Sequence, residues 1–123
     1  MNKNEFLEML SSITASNSEL FGILGQVTKI DVFIMGYVNE WTTKVENGIP
    51  IIIQINEFNR INKAVDDLTA ERDKLSNYLK DNNGSDEGLV SILKLYESQL
   101  TKQIKHYSEL MLMIPNRAYI IGK

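Results

Sequence analysis

The chain has 123 residues, 43% hydrophobic and 24% charged, with 13 basic and 16 acidic side chains, one histidine and no cysteine. That length suits one domain with a modest core, and the composition is that of a folded chain. The missing cysteine excludes disulfides, thiolate metal sites and a cysteine nucleophile. A net charge of −3, with three lysines against six acids in residues 1–50, leaves no basic footprint for nucleic-acid phosphates.

The first residues, MNKNEFLEMLSSITAS, read as a short helix over about 3–14. Glu5 and Glu8 interrupt what would be the apolar core of a Sec signal, so the expectation is synthesis in the cytoplasm without one. From Phe6 to Val45 a 4-3 spacing of apolar residues runs through Leu10, Ile13, Leu20, Leu24, Val27, Ile34, Val38 and Trp41. That is the period of a helix with one buried face. Ser16-Asn17-Ser18-Glu19 has the S-x-x-E form of a capping box and divides the run, giving a first long helix over about 17–46. Gln26, Lys29 and Asp31 in its middle argue against a membrane span. Gly22, Gly25 and Gly36 read as points of close helix approach or bending; no Lys-Ser/Thr follows them, so they make no phosphate loop.

Asn47-Gly48-Ile49-Pro50 is a tight connection, and five isoleucines fall within Ile49 to Ile55. Local propensity makes IPIIIQI extended, as it does AYII at 118–121, and the two would then pair as a small ribbon. Against that, Ile51, Ile52, Ile55 and Phe58 share one helical face that continues into Ile61, Val65, Leu68, Leu75 and Leu79. The preferred reading is therefore a second long helix over about 51–81. It ends at Asn82-Asn83-Gly84, a left-handed cap and turn, and Ser85 caps a third long helix over about 86–114 that Pro115 stops, leaving a tail over 115–123.

The expected fold is all-α: an elongated bundle of three long helices plus the short N-terminal one, the last two long helices forming an antiparallel, coiled-coil-like hairpin. In that hairpin Leu75 lies by Leu93, and Arg72 by Tyr96 and Glu97, while Lys63 is the expected partner of Asp31. Arg72 and Asp31 read as packing and register contacts rather than chemistry.

No catalytic, metal or cofactor site emerges. His106 is the only histidine, so no second Glu-x-x-His exists for a di-iron bundle, and Gln103 stands where its glutamate belongs. The neighbouring acids Asp66 and Asp67 point to different faces of a helix and form no acid–base couple. What the sequence does concentrate is apolar surface. The end of the first long helix, the start of the second and the end of the third meet at one pole. Ile51-Ile52-Ile53 and Met111-Leu112-Met113-Ile114 there exceed what one buried stripe per helix needs.

The expected function is a non-enzymatic protein–protein interaction subunit, docking by this pole into a homo-oligomer or a larger assembly such as a phage particle or secretion machine. Its anchors are Trp41, Ile51, Ile53, Met113, Tyr119 and Ile121. The alternative is a soluble adaptor or chaperone that binds a client in an apolar groove, to which Met9, Met35, Met111 and Met113 would lend adaptability. In length, acidity and lack of cysteine the chain is similar to small exported helical hairpins of the WXG type. Trp41 is followed by Thr42-Thr43, however, and Gly48 comes seven residues on, so the Trp-x-Gly hallmark is absent and the likeness is one of size and architecture.

Overall fold

A computed structural model describes residues 4, 5, 8, 17–82 and 87–122. The chain is mostly helical: α1 (Ser18–Glu46), α2 (Ile55–Asp81) and α3 (Glu87–Met113) are joined by a short strand pair, β1 (Ile51–Gln54) and β2 (Ala118–Ile121). The short helix expected over 3–14 and the Ser85 cap lie largely outside the described residues.

Local chemistry sets the helix ends. Asn17, not Ser16, is the N-cap of α1; its Oδ1 accepts from the Leu20 amide at 3.1 Å. At the other end Gly48 takes φ +65°, which lets the Ile49 and Gly48 amides return to the Lys44 and Val45 carbonyls at 2.8 and 3.2 Å. This double return is the Schellman pattern, and it satisfies carbonyls that would otherwise be orphaned. Asn82 is the C-cap of α2 at φ −118°, and the Asn83-Gly84 part of the expected left-handed turn lies outside the described residues. Pro115 falls inside a 3-10 turn, Ile114–Asn116, that closes α3 and leads into β2.

The helix expected from residue 51 begins at Ile55, because Ile51–Gln54 is extended. It pairs in parallel with β2, Ile51 opposite Ala118, Ile52 opposite Tyr119, Ile53 opposite Ile120 and Gln54 opposite Ile121. A run of isoleucines carries no phase of its own and fits a period of 2 as well as 3.6. The nearby β-branched segment AYII, which supplies ladder partners for the backbone, decides it.

The helices pack α1 against α2 and α2 against α3. As the central helix, α2 buries Ile61, Ala64, Val65, Leu68, Leu75 and Leu79. Ser76 donates to Glu97 at 3.0 Å and Arg72 to Thr101 at 3.4 Å, so α2 and α3 run in opposite directions. Asn17 Nδ2 donates to the Tyr78 hydroxyl at 2.9 Å, tying the start of α1 to the end of α2. Arg72 pairs with Asp73 at 3.1 Å, and Glu97, expected near it, is taken by Ser76.

Large polar side chains bridge α1 to α3. The Tyr107 hydroxyl, on a residue with no surface in water, donates to Asp31 Oδ1 at 2.6 Å and accepts from Gln103 Nε2 at 2.6 Å. Lys63, expected to meet Asp31, pairs instead with Asp67 one turn along its own helix at 3.1 Å. A lysine satisfied by an i,i+4 carboxylate stays in solvent, and the aspartate is left for the phenol that can reach it from α3.

Candidate interaction surface

The ribbon sits where α1 ends, α2 begins and α3 ends, touching α1 and α2 through β1 and α2 through β2. Strand alternation decides what it offers. Ile51 and Ile53 turn inward and keep 3% and 2% of their surface in water, while Ile52 between them keeps 58%. On β2, Tyr119 and Ile121 point out, exposed at 67% and 45%. Around this outward face stand Val45 at the end of α1, Ile49 in the connection, and Leu112 and Met113 at the end of α3. Of the ten large hydrophobics exposed among the described residues, these seven lie at one end; Phe21, Val32 and Leu95 lie elsewhere. Large apolar residues exposed singly are ordinary, but so many at one end of a chain mark a candidate interaction surface.

Of the anchors read from the sequence, Trp41, Ile51 and Ile53 belong to the chain's own core. Trp41 ends an aromatic stripe on α1, with Phe33 and Tyr37 rings 5.4 Å apart edge-on and Tyr37 6.2 Å from Trp41. Met113, Tyr119 and Ile121 are open. Sequence reasoning did not assign the outward role to Val45, Ile49, Ile52 and Leu112. The signal for Ile52 was present: in a strand it must face opposite to Ile51 and Ile53. Gln54 shares the outward side. Gly122 takes φ +94°, which favours glycine there, while the nearest atom to a Cβ, the Gln54 Oε1 at 2.8 Å, is the movable end of an exposed side chain.

Elsewhere the polar groups are satisfied internally. Among the described residues no buried side-chain nitrogen or oxygen lacks a partner. Burial first, then the hydrogen bond to Asp31, raises the Tyr107 phenol above its ordinary pKa; burial first, then the Asp31 charge, does the same for Tyr96. Both stay protonated over the physiological range, and Tyr107 acts as a fixed donor that spaces α1 from α3. His106 is exposed, its ring 6.1 Å from that of Tyr107.

Two grooves flank α2. One of about 540 Å³ between α1 and α2 is lined by Ile30, Phe33, Lys29, Arg60, Lys63 and Lys74 among others, with the Arg60 guanidinium 5.5 Å from the Phe33 ring centre. Lys63 and Lys74 are paired with Asp67 and Glu71, so the cations are interleaved with acids rather than massed. The other, about 490 Å³, lies between α2 and α3 with Phe58, Val65, Met111, Leu112 and Pro115 in its walls. The methionines do not gather in either: Met35 accepts from Gln103 at 3.8 Å in the interior, Met111 is buried at 7% and Met113 is exposed, while Met9 lies outside the described residues. By length and composition α1 is apolar enough to cross a membrane; it also supplies Leu20, Ile23, Leu24, Val27, Ile34 and Trp41 to the core.

Compared with family models, with curated proteins and with solved structures, the chain matches none of them.

Proposed function

We propose that the protein is a non-enzymatic interaction subunit that docks through its ribbon end into a homo-oligomer or a larger assembly, of the kind that builds a phage particle or a secretion machine. The observation that carries this reading is the one-ended distribution of exposed apolar residues, with Leu112 at 78%, Tyr119 at 67% and Ile52 at 58%. Fully burying such side chains is worth about 1.5–3 kcal/mol each, which makes them the natural seat of binding energy. In this reading the helices form an elongated bundle, with α2 and α3 as its coiled-coil-like hairpin and the N-terminal segment as a further short helix. The ribbon end meets a protein surface, α1 serves as a core helix rather than a membrane span, and no cofactor takes part. The adaptor reading is less favoured, because the methionines are not gathered: of the two grooves only the one between α2 and α3 has a methionine, Met111, in its wall, and Met35 is half-buried against Gln103.

Light scattering over a tenfold dilution series tests it. The expected mass exceeds that of the 14.0 kDa chain and falls to it in Val45→Lys and Leu112→Lys, with helicity by circular dichroism unchanged. Equal masses for the parent and both variants would remove the exposed end from the account.

A further inference from the structure

We infer that the partner at this end is a second copy of the chain, seated ribbon face on ribbon face about a two-fold axis; the inference rests on the reading of the apolar end given above. Three observations carry it. First, β1 and β2 pair in parallel, yet among the described residues they form a sheet of two strands. Parallel sheets are found with both faces covered, since each face is apolar. Here one face is covered by the helices through Ile51 and Ile53, and the other presents Ile52, Tyr119 and Ile121 to water. The fold is complete on one side of the ribbon and lacks a layer on the other.

Second, the amount of surface fits one equal partner. The ribbon face with its neighbours at this end leaves seven large apolar side chains 45–78% exposed, the scale of surface that a standard interface of about 800 Å² per partner draws on. Third, the face is complementary to itself. Its outward residues, Ile52, Gln54, Tyr119 and Ile121, carry no charge, so an identical face meets no like-charge repulsion. The Gln54 amide and the Tyr119 hydroxyl each both donate and accept, so the polar groups of one copy find partners in the other. A two-fold contact needs this property, because the same patch must serve on both sides.

The natural chain has no cysteine, so a single introduced thiol reports its own position alone. Ile52→Cys, Tyr119→Cys, Leu112→Cys and Ser91→Cys, the last at the far end of α3, are treated with a short bismaleimide, and masses of the parent, Ile52→Asp, Tyr119→Asp and Leu112→Asp are measured by light scattering. The expected result is twice 14.0 kDa for the parent and 14.0 kDa for Ile52→Asp and Tyr119→Asp, with linked dimers from Cys at 52 and 119 and none at 91. A doubled mass that survives Ile52→Asp and Tyr119→Asp but is lost in Leu112→Asp, with links only from Cys at 112, would overturn the ribbon contact and leave docking through this end standing. A parent mass of 14.0 kDa at every dilution, with no link at any position, would overturn the second copy and leave the end to a different protein. Equal linking at all four positions would overturn it as well, since that is the pattern of non-specific association.

Discussion

Around Leu68, Leu93 and Tyr107, which keep none of their surface in water, each helix turns its apolar stripe toward another helix and its polar groups find partners within the chain. At the ribbon end the same residue types are divided. Ile51, Ile53, Trp41 and Ile114 are spent inward at 5% exposure or less, while Ile52, Leu112 and Tyr119 are left at 58%, 78% and 67%. The middle is therefore stabilised by what the chain itself contains, while the end leaves the same residue types in water. Substitutions of one kind made in both regions measure that difference directly.

The sharpest contrast lies between neighbours. Ile53→Asp places an unpaired carboxylate where 2% of the residue meets water, and is expected to cost about 4 kcal/mol or more in urea unfolding. Ile52→Asp, one residue earlier on the outward side, is expected to cost about 1 kcal/mol or less, measured at a dilution where the chain is single. Equal costs would mean that residues 51–54 do not alternate, and the outward face would be lost with the strand. Next in size, Leu68→Ala in the middle should cost about 2–5 kcal/mol as a buried truncation. The same change at Leu112 should stay within about 0.5 kcal/mol.

How much of this was legible in the sequence follows the range of the forces involved. The helix ends at Glu46 and Met113 were readable, because Gly48 and Pro115 act on their immediate neighbours. The seam of α3 was readable at Leu93 and Tyr96, and Val90, Leu100, Ile104, Tyr107 and Met111 continue it at helical spacing. The strand was readable only as the second of two readings, because choosing between periods for Ile51-Ile52-Ile53 needs AYII as a ladder partner 67 positions away, Ile51 opposite Ala118. With it went the orientation of the surface: a helix puts Ile51 and Ile52 on one side, a strand puts them on opposite sides. The partner of Asp31 was hidden for a related reason. Charge pairing favours Lys63, but the geometry between α1 and α3 supplies the Tyr107 hydroxyl, and no local pattern encodes that spacing.

That hydroxyl gives the third contrast, between a polar group used inside and one left outside. Tyr107→Phe should cost about 1–2 kcal/mol, since Asp31 loses a 2.6 Å donor; Tyr119→Phe on the exposed ribbon should cost a few tenths at most. The pH dependence has a definite sign. Tyr96 and Tyr107 ionise above the ordinary tyrosine value in the folded chain, so their contribution is fully present below about pH 10 and is lost as pH rises beyond it, where the unfolded chain releases protons first. Thermal unfolding between pH 9 and pH 12 should show a steeper loss in the parent than in Tyr107→Phe. Parallel curves would mean that Tyr107 ionises as it does in the unfolded chain.

The smallest effects should differ in sign. Gly48 takes φ +65° at the junction between α1 and the ribbon, so Gly48→Ala is expected to cost about 1 kcal/mol through strain in the left-handed region. Gly25 sits inside α1 on its exposed side, with nothing within 4 Å of where a Cβ would stand. Among the described residues nothing approaches Gly25 closely, and a glycine in a helix interior is about 0.5–1 kcal/mol less favourable than alanine. Gly25→Ala should therefore stabilise by about that amount, read as a rise in the urea midpoint at constant slope. A loss at Gly25 would mean that something closes on the outer side of α1 that the described residues do not supply. The contrast between a finished helix pack and an unfinished ribbon end would then have to give way to two unfinished surfaces.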